Sequence, residues 1–156
     1  MQTITIEPVT KATDEARALV AELDAELMAE YPPEQRHGLT VDAIFQPHVR
    51  FFVARVDGAA VGCAAVALFA ELAEVKRMYV RPSARGSGAA ASLLVRLEAE
   101  ARDAGFAIVR LETGDRQHAA MRFYERAGYR RCAIFGAYAR MAPAKIATSV
   151  FFEKRL

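Results

Sequence analysis

Cysteine is scarce in this chain: Cys63 and Cys132 are the two among 156 residues. Both stand in apolar, strand-like runs with no C-x-x-C or H-x-x-x-H spacing nearby, so the sequence predicts no metal site. Two cysteines without a recognisable signal peptide are typical of a reduced, cytoplasmic protein. We therefore expect both thiols to behave as small hydrophobic side chains, not as nucleophiles.

Long apolar runs and an excess of one charge are also missing. No uninterrupted apolar segment reaches the roughly 18 residues of a membrane-spanning helix, so we expect no membrane partner. Lys and Arg together number 21 against 19 for Asp and Glu, which gives a formal net charge of +2. Such a balance lacks the basic surface typical of nucleic-acid binding, and we expect no nucleic-acid partner.

The residues that are present predict one domain over residues 1–156, because 53% of the chain is hydrophobic and the length suits a single domain. Alternating or apolar runs predict strands over 3–7, 50–56, 60–69, 71–80, 107–113, 129–135 and 148–154. Helical spacing predicts helices after Thr13 or Asp14, over 89–104 and over 119–127, with a short helix near 41–45 and a loop over 136–145. This order predicts an α+β (mixed α/β) fold.

Glycines concentrate between the predicted strand 71–80 and the helix that follows it, in the segment Arg85-Gly86-Ser87-Gly88-Ala89-Ala90. A helix N-terminus carries unpaired N–H groups and a partial positive charge, and glycine lets the backbone approach a ligand closely. The segment therefore predicts a binding site for a phosphate-bearing cofactor. Taken alone, the same turn is equally consistent with a plain connection between strand and helix.

Three blocks of sequence together resemble the Gcn5-related N-acetyltransferase (GNAT) family. The segment 85–90 is similar to the family's R/Q-x-x-G-x-G/A loop, and the strand 73–80 before it, followed by Arg81-Pro82, resembles the family's fourth strand. Ala119-x-x-x-Phe123-Tyr124-Glu125-x-x-Gly128-Tyr129 is similar to its A-x-x-x-Y-x-x-x-G-F segment. The resemblance implies a mostly antiparallel, twisted sheet of about seven strands, flanked by helices and splayed at the fourth strand.

The resemblance also implies acetyl-CoA as cosubstrate and no metal. It places the pyrophosphate on the backbone N–H groups of the 85–90 loop and the pantetheine arm along the backbone of Met78 and Val80. Gln117 stands where the family often has Asn. The cofactor-binding residues implied in this way are Met78, Tyr79, Val80, Arg85, Gly86, Ser87, Gly88, Ala89, Ala90, Gln117 and Ala119.

Tyr124 and Glu74 are the catalytic candidates. The resemblance implies that Tyr124 points at the CoA sulfur, where a phenol can protonate the leaving thiolate. Glu74 lies six residues before Val80, the spacing of the base glutamate in histone-acetyltransferase members, and a carboxylate can take the proton of the attacking amine. Strand alternation predicts that Glu74, Lys76, Met78 and Val80 share one face. The alternatives are a tyrosine packed at a core edge and a solvated glutamate paired with Lys76.

Substrate-binding residues are harder to assign, and position alone suggests Tyr31, Phe45, Tyr138 and Arg140. Arg77 and Arg81 either bind a substrate carboxylate or a cofactor phosphate, or lie in solvent. The sequence and the resemblance together predict an N-acetyltransferase that acts directly on a primary amine of a small molecule, and a homodimer is possible since many relatives are dimers. The alternatives are a protein or peptide N-acetyltransferase and a non-catalytic acyl-CoA-binding sensor.

Overall fold

A seven-stranded sheet in the order β1-β2-β3-β4-β5-β7-β6 runs through the computed structural model, which describes residues 2–156. All neighbouring strands pair antiparallel except β4 and β5, which are parallel. The strands are β1 (Ile4–Pro8), β2 (Val49–Val56), β3 (Ala59–Leu68), β4 (Ala73–Val80), β5 (Ile108–Gly114), β6 (Arg130–Arg131) and β7 (Ser149–Arg155).

Helices cover both faces of the sheet and enclose two hydrophobic cores. One core joins the sheet to the third and fourth helices, and the other joins it to the first two. The helices are α1 (Asp14–Met28), α2 (Val41–Ile44), α3 (Ala89–Asp103), α4 (His118–Arg126) and α5 (Pro143–Ile146). No helix among residues 2–156 has both the length and the apolar character needed to cross a membrane.

Local signals in the sequence explain where several elements begin and end. The Thr13 hydroxyl caps α1 by accepting a hydrogen bond from the Ala16 N–H, 3.1 Å away. Asp57 and Gly58 both have positive φ, +50° and +88°, as the tight turn between β2 and β3 requires. The predicted starts of α1 and α3 and the predicted hairpin are therefore confirmed.

The sheet opens between β4 and β5. These strands pair only where Ala73–Val75 of β4 lies beside Val109–Leu111 of β5. Beyond this point β4 continues to Val80 and β5 to Gly114 without pairing to each other, so a gap separates them. The predicted mixed α/β fold, with a sheet splayed at its fourth strand, is confirmed.

A β-bulge interrupts β4 and corrects the predicted alternation of its side chains. Lys76 pairs with Ala65 and Tyr79 with Cys63, so β4 has one residue more than β3 between these pairs. Arg77 has a φ of +56°. Val75 and Val80 lie in the same core although they are five positions apart, an offset that regular alternation would place on opposite faces. The prediction that Glu74 shares a face with Met78 and Val80 is therefore wrong.

The C-terminal part of the chain departs furthest from the predicted elements. Within the predicted strand 129–135, Arg130 and Arg131 form the ladder with β7, and one further backbone bond joins the Cys132 N–H to the Phe151 carbonyl. The predicted loop 136–145 holds a 3₁₀ turn and most of α5. Phe135 leaves the sheet edge and packs edge-to-face against the rings of Phe151 and Tyr138. An apolar run resembles a strand in sequence even where its side chains cover a sheet face.

Candidate active site

A pocket of about 120 Å³ lies at the gap between β4 and β5. One side is formed by α1 and the segment that follows it, and the other by the start of α4. Residues of β4, β5 and the 3₁₀ turn at 136–140 complete the wall. The site residues in this wall are Tyr31, Arg36, His37, Lys76, Arg77, Met78, Glu112, Gln117, Tyr124 and Tyr138.

Tyr124 projects from α4 into this wall and is 6% exposed. Among residues 2–156 its hydroxyl has no hydrogen-bond partner, although the side chain is almost fully enclosed. Burial, and secondarily the charge of Glu112, raises the pKa of this phenol above its ordinary value. Tyr124 therefore remains protonated, and its proton is available to a group that enters the pocket.

Glu74 lies behind the pocket wall and is 3% exposed. The Tyr138 hydroxyl donates to its Oε2 at 2.6 Å, and the Lys76 ammonium lies 3.0 Å from the same oxygen. Lys76 also donates to the Tyr138 hydroxyl and to the His37 carbonyl. The pairing with Lys76 was one of the expected alternatives, but the carboxylate is buried and not solvated. Its role as a base stays a prediction.

Glu112 of β5 is a carboxylate in the pocket wall that the sequence analysis did not select. The Ser149 hydroxyl donates to its Oε2 at 2.7 Å. Burial raises the pKa of Glu112, while the hydrogen bond from Ser149 and the charges of His37 and Lys76 oppose the rise. Its one signal in the sequence is a charged residue directly after Leu111 in a buried strand, and that becomes informative only once the gap beside β5 is known.

The glycine loop stands where β4 ends and α3 begins. Gly86 and Gly88 have φ of +84° and +93°, and their N–H groups meet no acceptor among residues 2–156. Ser87 Oγ accepts from the Ala89 N–H at 3.2 Å, and α3 follows directly with Ala89 and Ala90 in its first turn. Free N–H groups at a helix N-terminus fit the phosphates of a CoA ligand.

Arg85, at the start of that loop, is held by protein groups. Its guanidinium donates to Glu26 of α1 at 2.7 Å and to the Val80 carbonyl at 3.1 Å. Tyr79, next to Val80, turns its side chain to the opposite core, where its hydroxyl donates to Glu22. Arg85 therefore ties the loop to α1, and the backbone N–H groups remain the part of the loop that is open to an anion.

The other cofactor candidates divide between the pocket wall and the surface. Met78 lines the pocket, on the stretch of β4 that no longer pairs with β5. Gln117 also lines it, and its side-chain amide donates to Glu30 at 3.3 Å. Ala119 is exposed and does not line the pocket, whereas its neighbour Ala120 does.

Two of the four substrate candidates lie in the pocket wall and two do not. Tyr31 and Tyr138 line the pocket, and the Tyr31 hydroxyl accepts from the Arg116 N–H at 2.7 Å. Phe45 is directed instead to the core beneath α1, where its ring stacks edge-to-face on Phe51 at 5.6 Å. Arg140 is exposed at the end of its 3₁₀ turn. The placement of Phe45 and Arg140 at the site is therefore corrected.

The family model of the acetyltransferase (GNAT) family matches residues 16–129, which include the pocket wall from α1 to α4 and the glycine loop. The chain belongs to this family. The expected family, fold and acyltransferase activity are thereby confirmed, and this GNAT protein is an enzyme of the acetyltransferase class.

Individual relatives agree with the family. An IAA acetyltransferase of Azospirillum brasilense is 39% identical, with all of both chains covered. An aminoalkylphosphonate N-acetyltransferase of Salmonella typhimurium is 31% identical over 78% of this GNAT chain and 81% of its own. A solved structure from Klebsiella pneumoniae, assigned to the acyl-CoA N-acyltransferases, superposes with a TM-score of 0.74 at 36% identity and covers 98% of this chain and 97% of that one.

Proposed function

We propose that this protein transfers the acetyl group of acetyl-CoA directly to a primary amine of a small molecule, within a ternary complex. The observation that carries the proposal is that a protonated phenol, Tyr124, and a carboxylate, Glu112, line one pocket at the β4–β5 gap. The glycine loop at the end of β4 supports CoA as the acyl donor, because its free N–H groups suit phosphate. The small volume of the pocket, about 120 Å³, and the relative named as an aminoalkylphosphonate N-acetyltransferase support a small acceptor.

Acetyl-CoA, when bound, supplies an activated thioester whose acyl carbon an amine can attack. The amine nitrogen must lose a proton, and the departing sulfur must gain one. Tyr124 donates the proton to the sulfur, since its hydroxyl lines the pocket without an internal acceptor and the raised pKa keeps it protonated until the basic thiolate forms beside it. Met78 lines the pocket where β4 does not pair with β5, which supports a role of the backbone N–H groups there in polarising the thioester carbonyl.

The proton of the amine has two candidate acceptors, Glu112 and Glu74. Glu112 lines the pocket, is bound by one neutral hydroxyl and has a pKa raised by burial, so its carboxylate is both accessible to an amine and suited to accept a proton. Glu74 is buried behind Lys76 and Tyr138 and already interacts with both. We propose Glu112 as the base and keep Glu74 as the alternative that the spacing in the sequence predicts.

Thiol release from acetyl-CoA over a panel of small amines and peptides tests the proposal. Turnover that depends on a small amine supports it, and turnover with peptides alone would favour the protein N-acetyltransferase. If CoA binds tightly while no amine or peptide raises thiol release, the chain is an acyl-CoA sensor and the proposed activity is wrong.

A further inference from the structure

Two ionic groups in the pocket wall lack a counter-ion among residues 2–156, and they carry opposite charges. The Arg36 guanidinium forms no ion pair and no hydrogen bond there, and its Nε is buried without a partner. The Glu112 carboxylate accepts from Ser149 but forms no ion pair. A buried or half-buried charge without a partner is costly, so both groups favour a ligand that supplies the missing charges.

The remaining cations of the wall are already neutralised. Lys76 pairs with Glu74 at 3.0 Å, and Arg77 pairs with Asp24 at 2.5 Å. Lys76 also directs one N–H at the His37 carbonyl and another at Tyr138, which uses its remaining donors. Arg36 is therefore the cation in this wall that is free to bind an anion, although the Arg77 Nε is also buried without a partner.

The backbone beside Arg36 is held firmly against β4 and the C-terminal segment. The Arg77 guanidinium lies directly on Gly38, where an added Cβ would clash with its Nη1. His37 is anchored on both sides, because its carbonyl accepts from Lys76 and its ring nitrogen bonds the Lys145 carbonyl at 2.8 Å. Arg36 is thus presented by a fixed segment, which favours a defined subsite over a solvated surface arginine.

We propose that the acceptor is an amine that also carries an anionic group, a carboxylate or a phosphonate, with the anion bound by Arg36 and the amine facing Glu112. The inference rests on the proposed function and adds the substrate class. One charge of each sign on the ligand compensates one charge of each sign in the wall. A lysine or N-terminal amine of a protein lacks such an anion at a fixed short distance, so the same charges disfavour a peptide acceptor.

Paired substrates test this directly. Amino acids of increasing chain length and 2-aminoethylphosphonate are each compared with a neutral counterpart, the carboxamide or the amino alcohol, in the acetyl-CoA thiol-release assay. We expect kcat/KM to be at least roughly tenfold higher for the anionic member of the best pair, the size of one charge-assisted hydrogen bond. The carboxylate and phosphonate arms identify which anion is preferred.

Variants at Arg36 separate the subsite from a general effect of charge. Arg36→Gln is expected to raise the KM for the anionic amine roughly tenfold or more, with no such change in the KM for its neutral counterpart. Arg36→Lys keeps the charge and should retain part of the preference for the anionic amine. Arg17→Gln, an equal loss of charge at an exposed position of α1, is the matched control and should change neither. Equal rates for both members of every pair, or an equal loss for both in Arg36→Gln, would overturn the inference.

Calorimetry keeps the inference separate from the activity. With CoA bound to the protein, the anionic amine and its neutral counterpart are titrated in turn, and the anionic one should bind at least about tenfold more tightly, with the difference lost in Arg36→Gln. Tight, Arg36-dependent binding without turnover would refute the proposed function alone. Turnover of neutral amines without any preference for anionic ones would refute the inference alone.

Discussion

Tyr124 and Tyr129 are two enclosed tyrosines of the same core that differ in one respect, the partner of the hydroxyl. Tyr129 donates to Glu98 at 2.9 Å, whereas the Tyr124 hydroxyl faces the pocket without a partner. A buried hydroxyl that stabilises the fold should have an acceptor, as Tyr129 has. This difference indicates that the Tyr124 hydroxyl serves a ligand in the pocket and not the stability of the fold.

Removing the Tyr124 hydroxyl should therefore affect turnover and leave stability almost unchanged. We expect Tyr124→Phe to lower kcat about a hundredfold, within the usual range of a lost general acid, measured by thiol release at saturating acetyl-CoA. The matched control, Tyr129→Phe, removes a hydroxyl of the same type that contacts Glu98, so it should lower the midpoint of thermal unfolding and spare kcat. An unchanged rate in Tyr124→Phe would remove its role as acid.

The pH dependence of variants distinguishes Glu112 from Glu74 as the base. Because burial raises the pKa of Glu112, the base form is lost at a pH above the ordinary carboxyl range, and kcat/KM should fall on the acid side there. Glu112→Gln should lose this acid limb and be at least about a hundredfold slower near neutral pH, while Glu74→Gln should keep the limb. The opposite pattern would assign the base to Glu74.

Stability provides a second readout of the same shift. A carboxyl whose pKa is higher in the folded than in the unfolded state binds its proton more tightly when folded, so the protein loses stability as pH rises through the raised pKa. Glu112→Gln removes that loss. The thermal midpoint of Glu112→Gln minus that of the native protein should therefore be more positive at pH 8 than at pH 4. This sign is expected of a residue that is kept for function at a cost in stability.

At the scale of single elements, the loop before α3 is the part of the site that sequence patterns identify best. Its glycines, the strand before it and the helix after it appear in the chain in the order in which the structure uses them. No sequence pattern indicates the β4 bulge. Arginine rarely takes a positive φ, and the Arg77 side chain is held by contacts with Asp24 and the Val20 carbonyl of α1. Sequence patterns predict what neighbours along the chain determine, and miss what distant contacts determine.

Alanine at Gly86 tests the role of the loop, and alanine at Gly105 is the matched control. Both have strongly positive φ, +84° and +93°, and an added Cβ would meet no atom within 4 Å at either. Alanine should therefore cost each a similar amount of stability, about 1 kcal/mol. Only Gly86→Ala turns an N–H of the cofactor loop, and we expect it to weaken CoA binding about tenfold by calorimetry. Equal affinities of the two variants would contradict a role for this loop in binding phosphate.

Across the whole molecule, α1 connects the parts of the site that the gap in the sheet separates. Glu22 and Glu26 of α1 bind Arg81 and Arg85, and Glu30, in the turn just after the helix, binds Gln117. The contacts of these three glutamates thus extend from the end of β4, past the cofactor loop, to the start of α4. In the sequence these glutamates resemble an ordinary solvated helix face, and their partners lie about 60 to 90 residues away along the chain.

A ligand in the gap of the sheet should stabilise the folded molecule. Three residues of β4 are all that pair with β5, so a ligand lying along the unpaired stretch joins two parts of the sheet. CoA at a hundred times its dissociation constant should raise the free energy of unfolding by about 2.7 kcal/mol, or roughly 5–10 °C in thermal midpoint. Hydrogen exchange should slow at Lys76–Val80 and at the 85–90 loop, the backbone that CoA is expected to cover. ATP and NAD, which carry phosphates without a pantetheine arm, are the controls at the same concentration as CoA. If they stabilise the protein as much as CoA does, the loop binds nucleotide phosphate in general and the gap contributes nothing to affinity.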